Sequence, residues 1–522
     1  MARPVNLDNP LVLWRHATRS LRSGGRLTED PRHAALRDRI EIALFRVPAR
    51  QREVVKRYDL SGEPAVEIQR ALGISARQFF RDRRAALTEL KTLLPNLLAP
   101  PPAIAPAPAT PPRSMTHACD ATLSGRASAR SLAQTGNARC LDVLHELAAN
   151  ATDITARTDL FLELAELALD FDDDGTARDA LDAVLHARTN TGKLELGLSE
   201  YLSGRLARTE ARLTESYPDA ATKLREAVGL LRRSVAASPG AMDTRAALFE
   251  TLGDAAALDF EAGNFASAQA ASAEAVHIIE SFTLWTRPRA LEIMAMDVAL
   301  DACVSGRMDS AIERVSSLLR RAVDSAWSAT ASRLGADLVG LYSLRGECET
   351  ALRWYGRMWP TAVKSARPRD RWSLAMDAAG TYAAAGHPRE ALAVLSGAKD
   401  VTICPPRCLP EKHAFVASSL LLIGANARAL REARTAFRGY AARRVGRGMG
   451  DAHRLIAKSC ARLGDVAGAR EHIDEARRLS ERYGVLEGLL CTLHAQAEIL
   501  RRPKVKAEAQ ELERLLRSRA PF

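Results

Sequence analysis

Five side chains able to recognise bases crowd into "GISARQFFRDRRAAL", residues 73–87: Arg77, Gln78, Arg81, Arg83 and Arg84, with Phe79 and Phe80 between them. A guanidinium presents a fork of donors that suits guanine, and a glutamine amide suits adenine. The same spacing also fits a solvated helix face above two core aromatics, so the surrounding elements decide.

Those elements follow a recognisable grammar. "ALRDRIEIALFRV" puts Leu36, Ile40, Leu44 and Val47 on one face of a helix. "PARQREVVKRY" starts a second helix at Pro48, with Val54 and Val55 inward. "DLSGEP" is a turn, and "AVEIQRAL" a short helix with Ala65, Ile68 and Leu72 inward. In "GIS", Gly73 breaks the helix, Ile74 plugs the core and Ser75 caps the next N-terminus. The last helix is expected from Ala76 to Leu93, with Phe79 in the core. This is the order of a helix-turn-helix. Upstream, "DNPLVLWRHATRSLRSG" predicts one extra helix that buries Trp14.

"VPARQREVV", "EIQRALGIS" and "RRAALTEL" together resemble region 4 of bacterial sigma factors, over about residues 36–93. The resemblance implies DNA binding, with the helix that begins at Ser75 facing the major groove. It makes Arg77, Gln78 and Arg81 the candidate base readers. Arg50, Arg52, Lys56, Arg57, Arg84 and Lys91 become candidate phosphate contacts. Arg83 falls where that family has an apolar residue, so either the helix is rotated slightly or Arg83 snorkels. About 35 residues precede the motif, too few for a complete sigma factor.

Charge is distributed unevenly. The 522-residue chain carries +11, and residues 1–99 hold 19 of its 74 Lys+Arg but only 11 of its 63 Asp+Glu, a surplus of +8. That asymmetry points to a polyanion at the N-terminal end. Eight scattered cysteines form no disulfide framework and fit a reducing cytoplasm. The N-terminus lacks the apolar core of a signal peptide, and no run approaches a membrane span. Eight of the 24 prolines lie between Pro95 and Pro112, which predicts an extended spacer. The expected domains are 1–94, a helix-turn-helix; 95–115, a Pro-rich linker; and 116–522.

The third part is repetitive. "GNFASA" at Gly263, "GRMDSA" at Gly306, "GECETA" at Gly346, "GHPREA" at Gly386, "GANARA" at Gly424 and "GDVAGA" at Gly464 recur at steps of 43, 40, 40, 38 and 40. In each, alanine follows glycine by five: Ala268, Ala311, Ala351, Ala391, Ala429 and Ala469. "GTARDA" at Gly175 belongs to the set, "GNARCL" at Gly136 puts Leu141 in the alanine slot, and "RPKVKA" at Arg502 continues the step. A degenerate unit is expected near "SYPDAA", with Ala221 in the slot. Glycine ends one helix, and alanine lets the next one approach closely. One hairpin cannot bury its apolar face alone, but a stack can. These segments resemble tetratricopeptide repeats, at a longer step, over about residues 118–520. The resemblance implies an all-α solenoid of about ten hairpins that binds proteins, peptides or small ligands on its concave face.

Other motifs carry less. "CPPRCLPEKH" holds Cys404, Cys408 and His413 but no fourth zinc ligand. "GRGMG", residues 446–450, reads as a flexible repeat junction. "TNTGKL" has Gly192 and Lys193 without the rest of a P-loop. Trp285, Trp327, Trp354, Trp359 and Trp372 are clustered aromatics, either core or the lining of a ligand groove. No catalytic constellation, metal site or cofactor motif is present, so no enzyme is expected.

The sequence therefore predicts a bacterial, cytoplasmic regulator that binds double-stranded DNA and senses a protein, peptide or small molecule on its solenoid. A homodimer is a candidate assembly, because one small motif gives weak specific affinity. The alternative is an interaction scaffold docking on RNA polymerase or other proteins. No membrane partner is expected.

Overall fold

The turn glycines decide how the chain folds back. The computed structural model describes residues 47, 49–60, 63–98, 120–189, 197–305, 307–365, 367–396, 404–483 and 486–517. Gly263, Gly346, Gly386, Gly424 and Gly464 all occupy the left-handed region, with φ from 77° to 89°. After each, backbone N–H groups return to the helix just ended, as Gly346 does to the Ser343 carbonyl (2.9 Å) and Glu347 to that of Tyr342 (2.9 Å). The alanine five residues on is buried in every repeat, from Ala268 to Ala469.

Ten hairpins result. They are α4 (Asp120–Gln134) with α5 (Arg139–Asn150), α6 (Ile154–Asp170) with α7 (Asp174–Thr189), and α8 (Leu198–Leu213) with α9 (Tyr217–Ala237). Next come α10 (Met242–Ala262) with α11 (Phe265–Ser281), α12 (Pro288–Ser305) with α13 (Met308–Asp324), and α14 (Ser328–Leu344) with α15 (Cys348–Lys364). Then follow α16 (Pro368–Ala384) with α17 (Pro388–Ser396), α18 (Leu409–Leu422) with α19 (Asn426–Arg443), α20 (Gly446–Arg462) with α21 (Val466–Tyr483), and α22 (Leu486–Leu500) with α23 (Pro503–Arg517). The described part is thus an all-α, tetratricopeptide-like solenoid.

First helices form an inner layer. From α6 to α22 each touches the next first helix, whereas successive second helices meet only sparsely on the outside, as Arg232 of α9 does with Glu274 of α11 (2.6 Å). That inequality bends the stack, and it bends far enough to meet itself. Helix α4 touches α14, and α10 touches α20, each five hairpins away. Arg367 donates to the Ala133 carbonyl across this seam (3.0 Å). The solenoid therefore closes into a superhelical turn around a lumen.

Before the array lie α1 (Ala49–Val55), a π-helical turn (Lys56–Leu60), α2 (Ala65–Leu72) and α3 (Ala76–Leu98). Helix α3 runs past the expected end at Leu93, carrying Pro95 in its last turn, where the missing N–H costs a single bond. This part is docked on the solenoid: α3 lies against α11, and buried Arg52 pairs with Glu508 of α23.

Some repeat details differ from expectation. At Gly175 the turn is made by Asp172 (φ 57°), and Gly175 is already helical. Ala220, not Ala221, is buried in the first turn of α9. In α5 the buried slot is Cys140, one before Leu141, and in α23 Val505 and Ala509 are buried while Ala507 is exposed. "GRGMG" is not a flexible junction but the first turn and a half of α20. Its glycines are buried, and a β-carbon on Gly448 would stand 2.3 Å from the Tyr440 ring. Trp14 and residues 36–46, most of the 95–115 linker, Gly306 and the "TNTGKL" segment lie outside the described residues.

Two glycines separate backbone strain from packing. Nothing surrounds the β-position of Gly386, so Gly386→Ala pays only for the left-handed backbone, about 1 kcal/mol. Gly448→Ala must displace the Tyr440 ring and is expected to cost more, about 2–3 kcal/mol. Urea denaturation of the two variants checks the order.

Candidate functional site

Two regions gather polar chemistry: the N-terminal motif and the lumen. In the motif, Val54, Ile68 and Phe79 form the core, with Tyr58, Leu72 and Ile74 packed around it. Gly73 is left-handed (φ 63°), and Ser75 Oγ accepts the Gln78 N–H (3.2 Å). Arg83 reaches back from α3 to buried Asp59 in the π-turn, at 2.7 Å, and lies over the Tyr58 ring. Its apolar stem thus crosses the core while its charge is paired.

The candidate base readers separate into two kinds. Gln78 donates to Asp82 (2.6 Å), a buried carboxylate that also accepts from Arg50 (2.8 Å). Arg77 and Arg81 are exposed, together with Arg84 and Phe80, the last 56% exposed. Residues 77, 80, 81 and 84 fall on one helical stripe. Among the phosphate candidates, Arg57 is held by Glu63 (2.6 Å) and Arg52 is turned into the contact with Glu508. Arg84 stays on the open face, while the side chains of Lys56 and Lys91 lie outside the described residues.

The lumen encloses about 940 Å³. Its walls carry fourteen arginines, twelve carboxylates and no lysine, which leaves a formal surplus of two positive charges. One half is a ladder of short pairs between neighbouring inner helices. Arg205 of α8 donates to Glu166 of α6 (2.7 and 2.9 Å) and also pairs with Asp159. Arg208, one turn on, donates instead to α10, to Asp254 (2.7 Å) and Glu250 (2.8 Å). Arg212 returns to Asp170 (2.7 Å), and Arg289 of α12 binds Asp254 (2.8 Å) and Glu292 (2.7 Å). Burial opposes ionisation of Asp254, but Arg208 and Arg289 outweigh it and hold the carboxyl well below the ordinary range.

Pairing is looser in the other half. Arg369 approaches Glu261 only to 3.6 Å, Arg443 the same carboxylate to 4.0 Å, and Arg407 approaches Asp174 to 3.5 Å. Burial pushes the carboxyls of Asp337 and Asp370 up to about 6, and that of Asp377 well above the usual range, with Asp337 adding to the last.

Sequence reasoning missed this lumen. Its signal lay in acid and base stripes at helical spacing on the first helices, Glu163, Glu166 and Asp170 followed by Arg205, Arg208 and Arg212. Taken singly, each stripe looks like a solvated face.

None of the described tryptophan side chains lines the lumen. Trp372 is buried, and Trp327, Trp354 and Trp359 pack against the apolar core between α12 and α16; the Trp285 side chain lies outside the described residues. Cys404 and Cys408 pack into a core cluster, where burial raises their thiols to about 11 and about 12. His413 faces Glu432 across the hairpin (2.7 Å). No described helix is long and apolar enough to cross a membrane.

No family model matches the chain, and no curated protein matches it. Among solved structures it is similar to a Rap protein complexed with competence and sporulation factor, at 11% identity and TM-score 0.47, covering 70% of this chain and all of that one. It is also similar to yeast Tom70, at 13% identity and TM-score 0.39, covering 85% and 93%. A third is the APC/C hetero-tetramer Cut9-Hcn1, at 12% identity and TM-score 0.41, covering 99% and 97%. At these values the likenesses lend no function to this chain.

A pH dependence follows from Asp337. Its folded-state value near 6 lies above the ordinary 3.8, so its contribution to stability is complete below about pH 4 and lost as pH rises through 6. Asp337→Asn removes that loss. The variant is expected to be more stable than the parent at pH 8, by about 1–3 kcal/mol, and to match it near pH 4. Thermal denaturation across pH 4–8 measures the gap.

Proposed function

We propose that this chain is a cytoplasmic, non-enzymatic regulator of transcription. Its N-terminal helix-turn-helix binds DNA, and its solenoid senses a protein, peptide or small ligand. The observation that carries this reading is the open stripe of Arg77, Arg81 and Arg84, on the helix after the Gly73 turn. The positive surplus of residues 1–99 supports it, since phosphate contacts supply much of the affinity for DNA. Arg77 and Arg81 are the base readers in this reading. Gln78 reads a base only after exchanging its bond to Asp82. Arg84 and Arg50 remain as phosphate contacts. The docked Arg52 offers a relay: a ligand that changes the pitch of the solenoid moves Glu508 and alters how the motif is presented.

A second reading is an interaction scaffold, with the motif docking on RNA polymerase or another protein. Exposed Phe80 and Val66 (63% exposed) favour it, because exposed apolar side chains on a small motif suit a protein surface.

The test is selection of genomic fragments by the full-length chain at near-physiological salt, followed by sequencing. The expected outcome is a recovered motif, with Arg77→Ala and Arg81→Ala each weakening binding by about tenfold or more and relaxing the sequence at one position. No enrichment, together with polymerase binding that Phe80→Ala abolishes, would leave the scaffold.

A further inference from the structure

The lumen's two halves differ in how well their arginines are matched. In the ladder, donor and acceptor stand at 2.7–2.9 Å and one arginine commonly holds two carboxylates. Opposite it, Arg369 and Arg443 share Glu261 at 3.6 and 4.0 Å, and Arg407 reaches Asp174 at 3.5 Å. The buried Nε of Arg443 has no acceptor among the described residues. Arg333 of α14 lines the same space and makes no hydrogen bond or ion pair with the described residues.

These guanidiniums come from separate elements: Arg333 from α14, Arg369 from α16, Arg407 from the turn before α18, and Arg443 from the end of α19. They are near one another. Arg369 and Arg443 flank one carboxylate, and Arg443 donates to the Arg407 carbonyl (2.8 Å). Burial, and then Arg369, push Arg333 below the ordinary arginine value. Burial is also the largest influence on Arg407, where Arg212, Arg369 and Arg443 add to it against Asp174. The ladder arginines Arg205, Arg208 and Arg289 shift the opposite way, and so does Arg369, where burial is outweighed by nearby acidic groups, Glu261 foremost. Nearby Glu411 is pushed up by burial, which weakens the remaining counter-charge.

We propose that Arg333, Arg369, Arg407 and Arg443 form a binding site for a phosphate monoester inside the lumen. A monocarboxylate brings one charge and two oxygens. A phosphate monoester brings close to two charges and three acceptor oxygens, enough for guanidiniums arriving from several directions. The 940 Å³ lumen admits a small-molecule phosphate or a short phosphorylated segment. The proposal rests on the sensing reading only for what the ligand does, not for its binding.

Calorimetric titration of the full chain with inorganic phosphate, at constant ionic strength and with acetate as the control anion, tests it. Saturable binding of phosphate and not acetate is expected, weakened at least tenfold in Arg333→Gln and in Arg369→Gln. Arg333 makes no hydrogen bond or ion pair among the described residues, so its variant should melt close to the parent temperature, which separates lost binding from lost fold. Arg353→Gln, exposed on the outer helix α15 and outside the lumen, should bind phosphate as the parent does. Adenosine monophosphate and a phosphoserine pentapeptide then distinguish a small-molecule source from a phosphorylated chain. No saturable phosphate binding, or binding unchanged in both arginine variants, overturns the site. DNA binding measured on the same samples reports separately: a confirmed site whose occupancy leaves DNA affinity unchanged overturns the sensing role and not the site.

Discussion

Arginine–carboxylate pairing between adjacent inner helices is the interaction on which the form of the array depends. The hairpins are held mainly by alanine and leucine, whose contacts are non-directional and tolerate sliding. The inner faces are not so tolerant. Arg205 and Arg208, one turn apart on α8, look in opposite directions, the first to α6 and the second to α10. A hairpin slipped by one turn would leave at least one buried guanidinium without its carboxylate, at a cost of about 3–5 kcal/mol. The pairs themselves gain little net stability once desolvation is counted. Their effect is to select one register among several that the apolar contacts alone would accept.

Register, once set, accumulates into curvature. Inner helices pack more closely from hairpin to hairpin than outer ones, so each step rotates the stack in the same sense. After five hairpins the chain meets itself. Arg367 reaches a carbonyl 234 residues away, and Arg447 lies over the Phe260 ring. A lumen enclosed in this way is drier than an open groove, so each unmatched charge in it matters more. The ladder half has solved that problem internally. The Arg369 half has not, and the difference lies in the geometry of sharing: Glu261 serves two arginines at 3.6 and 4.0 Å, whereas Asp254 serves Arg208 and Arg289 at 2.7 and 2.8 Å.

How much of this was legible follows from the range of the interactions. The Gly-to-Ala element was readable because its causes are local: a left-handed turn, then a close crossing. It failed where another residue took the turn, as Asp172 did, or where the slot moved by one, as at Cys140. Phe79 as core follows from helical spacing, but the role of Arg83 does not, because Asp59 sits in a π-turn that shifts the register between α1 and α2. "GRGMG" misled because glycine weakens a helix in isolation, and only the Tyr440 ring explains why Gly448 is needed. The lumen was the least legible. Its seam joins residues far apart in sequence, and its existence depends on the sum of many small rotations that no local pattern encodes.

The attachment of the N-terminal motif follows from the same economy of charge. Glu508 lies on the last helix and is shared by Arg477 of α21 and Arg52 of α1 (the former at 2.9 Å). A carboxylate between two arginines cannot be left by one without strengthening its hold on the other, so undocking Arg52 does not strand Glu508. Arg52 is buried in the docked form, so this contact ties the place of the motif to that of α23. Helix α23 packs in turn on α22 and is joined to α21 through Arg477, so the placement of the motif follows that of α21–α23 as a unit.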